Sequence, residues 1–518
     1  MRKCGVLCPV FSLPSPYGIG TLGKSAYEFV DKLKKAGQSY WQILPLGQTG
    51  YGDSPYQSFS TFAGNPYFID LDFLVEEGLL KPEECKLVEV CENPSYIDYE
   101  KMYYSRYKVL RLAFARFDAE EDMDYAKFVR KNSFWLDDYA LFMAVKDHFG
   151  GKAFIEWDED IRLRKEKAIA KYKKSLAKEI DFYKFMQFCF KKQWRTLKLY
   201  ANEQGIEIIG DIPIYVAFDS ADTWANPMLF QLDEDGFPIT VAGCPPDCFC
   251  ATGQLWGNPL YNWSYHKHTQ FDWWMERIAY CYELYDVVRI DHFRGFESYY
   301  AIPYGDPTAE FGHWEPGPGY DLFERMEAVM GEREVIAEDL GFLTDEVREL
   351  VAKTGYPGMK IIEFAFGNYE DNDYLPHHHK QNTIVYTGTH DNETALGWYN
   401  NLSRKDKRFV REYCNCKTSK GIVEELVRLA LFSVSETAII PIQDYLELDN
   451  AARINEPSTL GENWKWRLLP GQFDDAIVDK MYHLAKISFR LPQEEATGKT
   501  TDGTENTEVV MKLDLDQK

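Results

Sequence analysis

The chain of 518 residues is long enough to bury a large core, and its length fits roughly two to four ordinary domains or one enlarged barrel. Its 82 Asp and Glu outnumber 58 Lys and Arg, and the net charge of -24 repels phosphate backbones and anionic lipid, which sets nucleic acid and membrane surfaces aside as partners. Eleven cysteines, an odd number at irregular spacings, read as the reduced thiols of a cytosolic protein rather than as a disulfide framework. Aromatic residues reach 15%, so some rings are expected as exposed platforms for flat or ring-shaped ligands.

The opening "MRKCGVLCPVFSLPSPYGIG" pairs two basic residues with a short apolar stretch, but prolines interrupt it and it lacks a small-residue cleavage site, so it is not read as a secretory signal. No stretch is apolar for long enough to span a bilayer. Eight β-rich runs succeed one another: "GVLCPVFSLPS", "SYWQILPLGQTG", "IEIIGDIPIYV", "DVVRIDHFRG", "EVIAEDLG", "MKIIEFAFG", "NTIVYTGTHDNET" and "AIIPIQDYL". Helical patterns such as Lys24 to Ala36 and Phe271 to Leu284 lie between most of them. Strands apolar on both faces that alternate with helices argue for a parallel sheet covered by helices, and eight of them fit a (β/α)8 TIM barrel, an α/β fold whose chemistry sits at the C-terminal ends of the strands.

The expected barrel covers residues 1–490 and carries two insertions. Between the second and third runs, over residues 70–200, Tyr99 to Phe117, Phe134 to Phe149 and Asp158 to Tyr200 show helical periodicity with many charges, which predicts a mainly helical insertion. The Lys-rich "RLRKEKAIAKYKKSLAKE" within it reads as one solvated helix face. Residues 217–262, rich in Gly, Pro, Asn and Trp, predict a long structured loop over the C-terminal face of the barrel. Cys244, Cys248 and Cys250 cluster in "CPPDCFC", but no second ligand pair comes at zinc-site spacing, so no metal is assigned; His377, His378 and His379 read as a solvated loop. Residues 491–518 are polar and poor in aromatics, which predicts a disordered tail.

Four strand candidates end on acid: Asp211, Asp291, Glu338 and Asp391. On the barrel hypothesis all four rise into one mouth, and a cluster of like charges is costly enough that chemistry is the better reason for it. Metal binding is one answer, although Arg289, His292 and His390 would crowd a hard cation. Glycoside cleavage is the other, since it needs one ionised carboxylate, one carboxyl with a raised pKa, and groups that hold sugar hydroxyls. Arg289, two residues before Asp291 and on the same strand face, is suited to keep that carboxylate ionised. Glu338, buried after "EVIA" with Asp339 beside it, is the better proton donor.

These residues resemble those of the amylomaltases, or disproportionating enzymes: 4-α-glucanotransferases of glycoside hydrolase family 77 in the α-amylase clan. The resemblance runs from about Gly5 to Arg467 through "SPYGIGTLG", "GDSPYQS", "GDIPIYVAFDSADTWANPMLF", "PPD…TGQLWGNPLYNW", "RIDHFRG", "VIAEDLG", "GTHDNET" and "GENWKWRL". It implies Asp291 as the nucleophile of a covalent β-glucosyl ester, Glu338 as general acid and base, and Asp391 as the carboxylate that grips sugar hydroxyls and favours the oxocarbenium-like ring. It further implies Arg289 and His390 as supports in the donor subsite, Tyr56 as the floor beneath the donor sugar, and Asp211 as a donor-site carboxylate. Asp247, Trp256 and Asn258 fall in the loop that arches over the cleft, and Tyr51, with Tyr99 as partner, matches a secondary glucan contact. Such an enzyme needs no metal or organic cofactor, takes α-1,4-glucans and maltooligosaccharides as donor and acceptor, and is expected in the cytoplasm as a monomer or weak homodimer. Its two central carboxyls should lie roughly 5 to 5.5 Å apart, as in retaining enzymes. A hydrolase of the same clan and an inactive glucan-binding protein stay open as rival readings.

Overall fold

The computed structural model describes residues 2–49, 54–246, 251–341, 343–367 and 371–493. Its strands are Lys3–Leu7 (β1), Tyr40–Gln42 (β2), Glu207–Pro213 (β3), Thr240–Cys244 (β4), Gln254–Pro259 (β5), Val287–Asp291 (β6), Ser298–Pro303 (β7), His313–Pro316 (β8), Val335–Ala337 (β9), Gly358–Ile361 (β10), Thr383–Tyr386 (β11) and Thr437–Pro441 (β12). Eight of them close into a barrel in the order β1, β12, β11, β10, β9, β6, β3, β2, with every neighbouring pair parallel. This is the (β/α)8 barrel expected, and each barrel strand falls on one of the eight β-rich runs.

The strands are apolar on both faces because each face meets a different core. Leu7, Ile209, Val287, Ile336, Met359, Ile361, Ile384, Tyr386 and Ile439 form a cluster of their own inside the barrel. Their strand neighbours Val6, Ile208, Val288, Ile290, Val335, Ala337, Val385 and Ile440 belong to the larger core shared with the helices. Since side chains alternate along a strand, this split fixes which way the charged residues at the strand ends point. Above Val287, Arg289 and Asp291 point inward; above Ile209, so does Asp211; above Ile336, so does Glu338.

Between β2 and β3 the chain forms the helices Leu71–Glu76, Pro82–Cys85, Tyr99–Phe114, Met123–Lys131, Ser133–His148, Glu159–Arg162, Glu166–Ser175 and Ala177–Glu203. The Lys-rich stretch is not one continuous helix face. Arg164 takes φ 53° just beyond the first short helix, its guanidinium ion-paired with Asp138 at 2.7 Å and stacked over the Trp224 ring at 4.2 Å from the centroid. A second break falls at Leu176, φ -111° and ψ 19°, whose side chain packs on the core. Packing these two residues outweighs the continuous helix that composition alone favours.

The region 217–262 is more than a loop. β4 and β5 pair there antiparallel, and β4 also pairs with β7, which pairs with β8, giving a four-stranded sheet in the order β5, β4, β7, β8. His377 and His378 are exposed, but His379 is buried, with its ring against Ser433 Oγ at 2.7 Å and Tyr374 O at 2.9 Å. A carbonyl only accepts, so Nε2 carries the proton, and burial first of all lowers the ring pKa to about 4. Cys248 and Cys250 lie outside the described residues; the nine other cysteines are free thiols. No helix among the described residues is long and apolar enough to cross a membrane.

The helix Asp475–Ile487 packs beside Lys24–Lys35, and the chain beyond it lies against the barrel at Arg490. Fully buried, Arg490 donates to the carbonyls of Leu431, Lys3, Glu436, Ser433 and Ser435 at 2.6 to 3.1 Å. Residues 494–518, most of the predicted tail, lie outside the described residues. Because one side chain satisfies five carbonyls around the start of β1 and β12, Arg490→Met should cost about 3 kcal/mol or more and lower the thermal midpoint by several degrees. Residual activity per folded molecule, measured below that midpoint, should stay near that of wild type.

Candidate active site

β6 ends on Asp291, and the next residue, His292, takes φ 52°, a left-handed conformation uncommon outside glycine. That turn aims the His292 N–H at Glu338, whose Oε2 accepts it at 2.7 Å. The backbones agree with this contact: Ile290 pairs with Ala337, Glu338 N donates to Ile290 O at 3.1 Å, and Phe293 N donates to Glu338 O at 3.1 Å. Asp291 and Glu338 therefore share one register on adjacent parallel strands about 4.8 Å apart, both turned inward. Leu340 N donates to Oε1 of Glu338 at 3.1 Å.

Arg289 is the cation beneath this pair. Its Nη1 donates to both oxygens of Asp211, at 2.7 and 2.6 Å, and its Nη2 donates to Asp291 Oδ1 at 3.1 Å. Arg289 is 3% exposed and Asp211 fully buried, whereas the Asp291 side chain keeps 28% of its surface open to the mouth. Burial opposes the guanidinium charge, but Asp211 and then Asp291 more than offset it, so Arg289 is a fixed cation.

Burial is the largest influence on both catalytic candidates. It pushes Asp291 well above the ordinary carboxylate range; Arg289 pulls it back, and Asp211, Glu338 and Asp391 push it up again. Arg289 thus moderates the Asp291 carboxyl but does not outweigh burial and three neighbouring acids. Burial likewise raises Glu338, opposed by Arg289 and by the His292 and Leu340 N–H groups, with Asp339 adding to the rise. Asp339 itself turns away and accepts the Met359 N–H at 2.7 Å.

Tyr56 links the other half of the mouth. Its hydroxyl donates to Asp211 Oδ2 at 2.8 Å and lies 2.9 Å from His390 Nε2, with the two rings stacked at 5.3 Å. Since the one hydroxyl proton goes to Asp211, His390 must donate from Nε2, which also lies 3.3 Å from Asp391 Oδ2. Burial, ahead of all else, lowers the His390 pKa, so the ring is a neutral donor. Asp391 sits in the turn between β11 and the helix Ala395–Asn401, whose N-cap Thr394 accepts the Gly397 N–H at 3.1 Å. Its side chain is 41% exposed.

The structure thus brings together Tyr56, Asp211, Arg289, Asp291, Glu338, His390 and Asp391. Trp256, on β5, meets His292 edge to face at 4.8 Å and stays partly exposed. Asn258 is buried: its amide donates to Val216 O at 2.7 Å and accepts from Gln57 at 3.1 Å, so it ties β5 to the chain beyond β3. Tyr51 and Asp247 lie outside the described residues. Tyr99 is buried, its hydroxyl donating to Trp464 O at 2.8 Å, and the exposed rings of that helix are Tyr103 and Tyr104.

Three neighbours of the site are not among the residues singled out from the sequence. Asn455 donates to Asp391 Oδ1 at 2.6 Å, Arg453 donates to Asp391 O at 2.9 Å, and Trp464 packs near Tyr56 and His390 at 5.8 and 6.0 Å. All three come after β12; Trp464 falls in "GENWKWRL", and for Asn455 and Arg453 the one signal is the polar loop beyond that strand, one of those that build the C-terminal rim of such a barrel.

The family model described as 4-alpha-glucanotransferase matches residues 8–472. A 4-alpha-glucanotransferase of Clostridium butyricum is 50% identical over 480 residues, 92% of this chain and 99% of that one. The structure of an amylomaltase from Streptococcus agalactiae in complex with acarbose superposes with a TM-score of 0.93 at 42% identity, covering 95% of this chain and 100% of the other. The amylomaltase from Corynebacterium glutamicum, at 17% identity and a TM-score of 0.75 over 94% of this chain and 75% of its own, shares the fold. With its barrel, its mouth of paired carboxylates and these relatives, the chain belongs to the 4-alpha-glucanotransferase family.

Proposed function

We propose that the protein transfers α-1,4-glucan segments from a donor maltooligosaccharide or larger glucan to the 4-hydroxyl of an acceptor glucan or glucose, by two displacements at one carbon. The observation that carries this reading is the pairing of Asp291 and Glu338 on adjacent strands, with Arg289 bonded to the former only. Of the two raised carboxyls, Asp291 alone has a direct cation partner among the described residues. The first displacement needs the negative charge on Asp291 and the proton on Glu338, and the Arg289 contact favours that placement against the burial that raises both carboxyls.

In the first step Asp291 attacks the anomeric carbon while Glu338 protonates the departing glycosidic oxygen, leaving a glycosyl ester and an ionised Glu338. In the second, Glu338 takes the proton of the acceptor hydroxyl, which displaces Asp291 and restores the α configuration. Asp391, held by Asn455 and backed by neutral His390, suits hydroxyl binding beside the reacting ring. Tyr56 is the aromatic surface beneath the donor sugar, and Trp256 stacks on the acceptor side. Asn258 acts by holding the strand that carries Trp256. The free thiols of the described residues fit a cytosolic setting.

Incubated with maltotriose alone, the purified protein should yield glucose together with maltooligosaccharides longer than the substrate; shorter products only would mark a hydrolase. Asp291→Asn should lower that activity by about a thousandfold or more, and activity equal to wild type would remove the assigned nucleophile.

A raised Glu338 carboxyl also sets the pH profile. Activity should fall as pH rises through the ionisation of Glu338, because the donor must be protonated, and fall again at acid pH as Asp291 takes up a proton. Glu338→Gln should lose roughly 10²- to 10⁴-fold on maltotriose. With α-maltosyl fluoride, whose leaving group needs little protonation, the variant should retain fluoride release and lack the alkaline limb in that step. An unaltered alkaline limb would show that another group supplies the proton.

A further inference from the structure

We infer that Asp371, His377 and His378 form a surface binding site for a divalent transition metal ion such as Zn²⁺, on the connection between β10 and β11. The inference is independent of the sugar chemistry, since none of the three belongs to the mouth. Among the described residues they are the one set of three His, Cys, Asp or Glu side chains whose ligand atoms all lie within 4.8 Å of one another.

The segment that carries them has a reason to be tied. Every other connection between consecutive barrel strands contains an α-helix, whereas β10 and β11 are joined, among the described residues, through two 3-10 turns, Ile362–Ala365 and Pro376–His378. A stretch without regular structure satisfies few of its own backbone groups and relies on side chains for its position. Leu375 anchors it in the core, and the buried His379 is held by Ser433 and Tyr374, so the two histidines between these anchors are fixed on the exposed side.

The ligand atoms converge on one oxygen. Nε2 of His378 lies 2.5 Å from Asp371 Oδ1, and Nε2 of His377 lies 3.8 Å from the same atom. Ligand atoms around tetrahedral zinc are about 3.3 Å apart, so the first distance would open by about 0.8 Å and the second close by about 0.5 Å, which side-chain rotation supplies. His377 also has the outer contact usual for a metal-bound imidazole. Its Nδ1 lies 3.1 Å from the Tyr413 hydroxyl, and donating the Nδ1 proton there leaves the Nε2 lone pair for a metal. Two imidazoles and one carboxylate suit zinc, cobalt or nickel better than calcium or magnesium, and they leave a fourth position to water. Binding releases the proton that His378 shares with Asp371. Because Tyr413 closes the helix Arg404–Tyr413, the ion would fasten the connection to itself and to that neighbouring helix.

The test titrates Co²⁺ into the untagged full-length protein and follows its visible absorption, which reports nitrogen and oxygen ligation; thiolate ligation would add a sulfur-to-cobalt band in the near ultraviolet. The wild type should take up one Co²⁺ saturably without that band, and Zn²⁺ should displace it. His377→Ala, His378→Ala and Asp371→Ala should each weaken binding about tenfold or more, at least the loss that follows removal of an outer partner. The rise in thermal midpoint that Co²⁺ gives the wild type should vanish with them. All three positions are exposed, and the midpoint without metal checks that each variant is folded. Binding that survives the three substitutions, a sulfur band in place of the visible one, or no saturable uptake would overturn the site.

Discussion

The structure of the mouth depends on one buried guanidinium. Arg289 enters the barrel from β6 and bonds both oxygens of Asp211 on β3 and one oxygen of Asp291 above it. Without it, Asp211 would be an unpaired, fully buried charge, a defect that typically costs about 3 to 5 kcal/mol. Asp211 is also the acceptor that orients Tyr56, and the Tyr56 oxygen in turn accepts the Nε2 proton of His390 and fixes that ring beside Asp391. One cation thus sets the orientation of groups on β3, on β6 and in the segments after β2 and β11 before any substrate arrives, which is what a site stabilising developing charge requires.

A single arginine does not neutralise four acids, and the surplus explains the paired roles. Asp291 and Glu338 are both raised by burial, and each disfavours ionisation of the other or of its neighbours. Holding one proton between them is the low-energy state, and the contact from Arg289 breaks the symmetry. The acid-rich zone continues below the Asp391 turn, where burial raises Glu363 well above the carboxylate range and Asp444 to about 6. Keeping a proton on Glu363 avoids adding another charge beneath a mouth already short of cations.

Much of this was legible in the sequence because strands buried on both faces have little choice of residue. The eight apolar runs are barrel strands, and the acids that ended them are at the mouth. Arg289 was legible for the same reason: two residues from Asp291 on a strand means one face. The four-stranded sheet was not legible, since "HWEP" has neither length nor alternation and becomes strand only by pairing with Ser298–Pro303. The breaks at Arg164 and Leu176 depend on partners distant in the chain. Asn258 also bonds Val216 and Gln57, and the Tyr99 hydroxyl donates to Trp464, contacts that the sequence does not show. Spacing tells which residues share a face; it does not tell which polar groups have been used up.

That sheet changes how selectivity between water and sugar is understood. The glycosyl ester is open to either, so the outcome turns on how firmly an acceptor is held in line while water is excluded. A flexible loop would have to order itself against each acceptor and lose entropy in doing so. Here Trp256 stands on β5, and β4, β7 and β8 brace that strand, while the turn after Asp291 leads directly into β7. The proposed nucleophile and the proposed acceptor wall are therefore joined through one short turn, and Asn258 fixes β5 to the chain beyond β3. Preorganisation of this kind favours a partner with a broad face to stack over a small molecule with none, so the same architecture that presents the ester also biases it toward transfer.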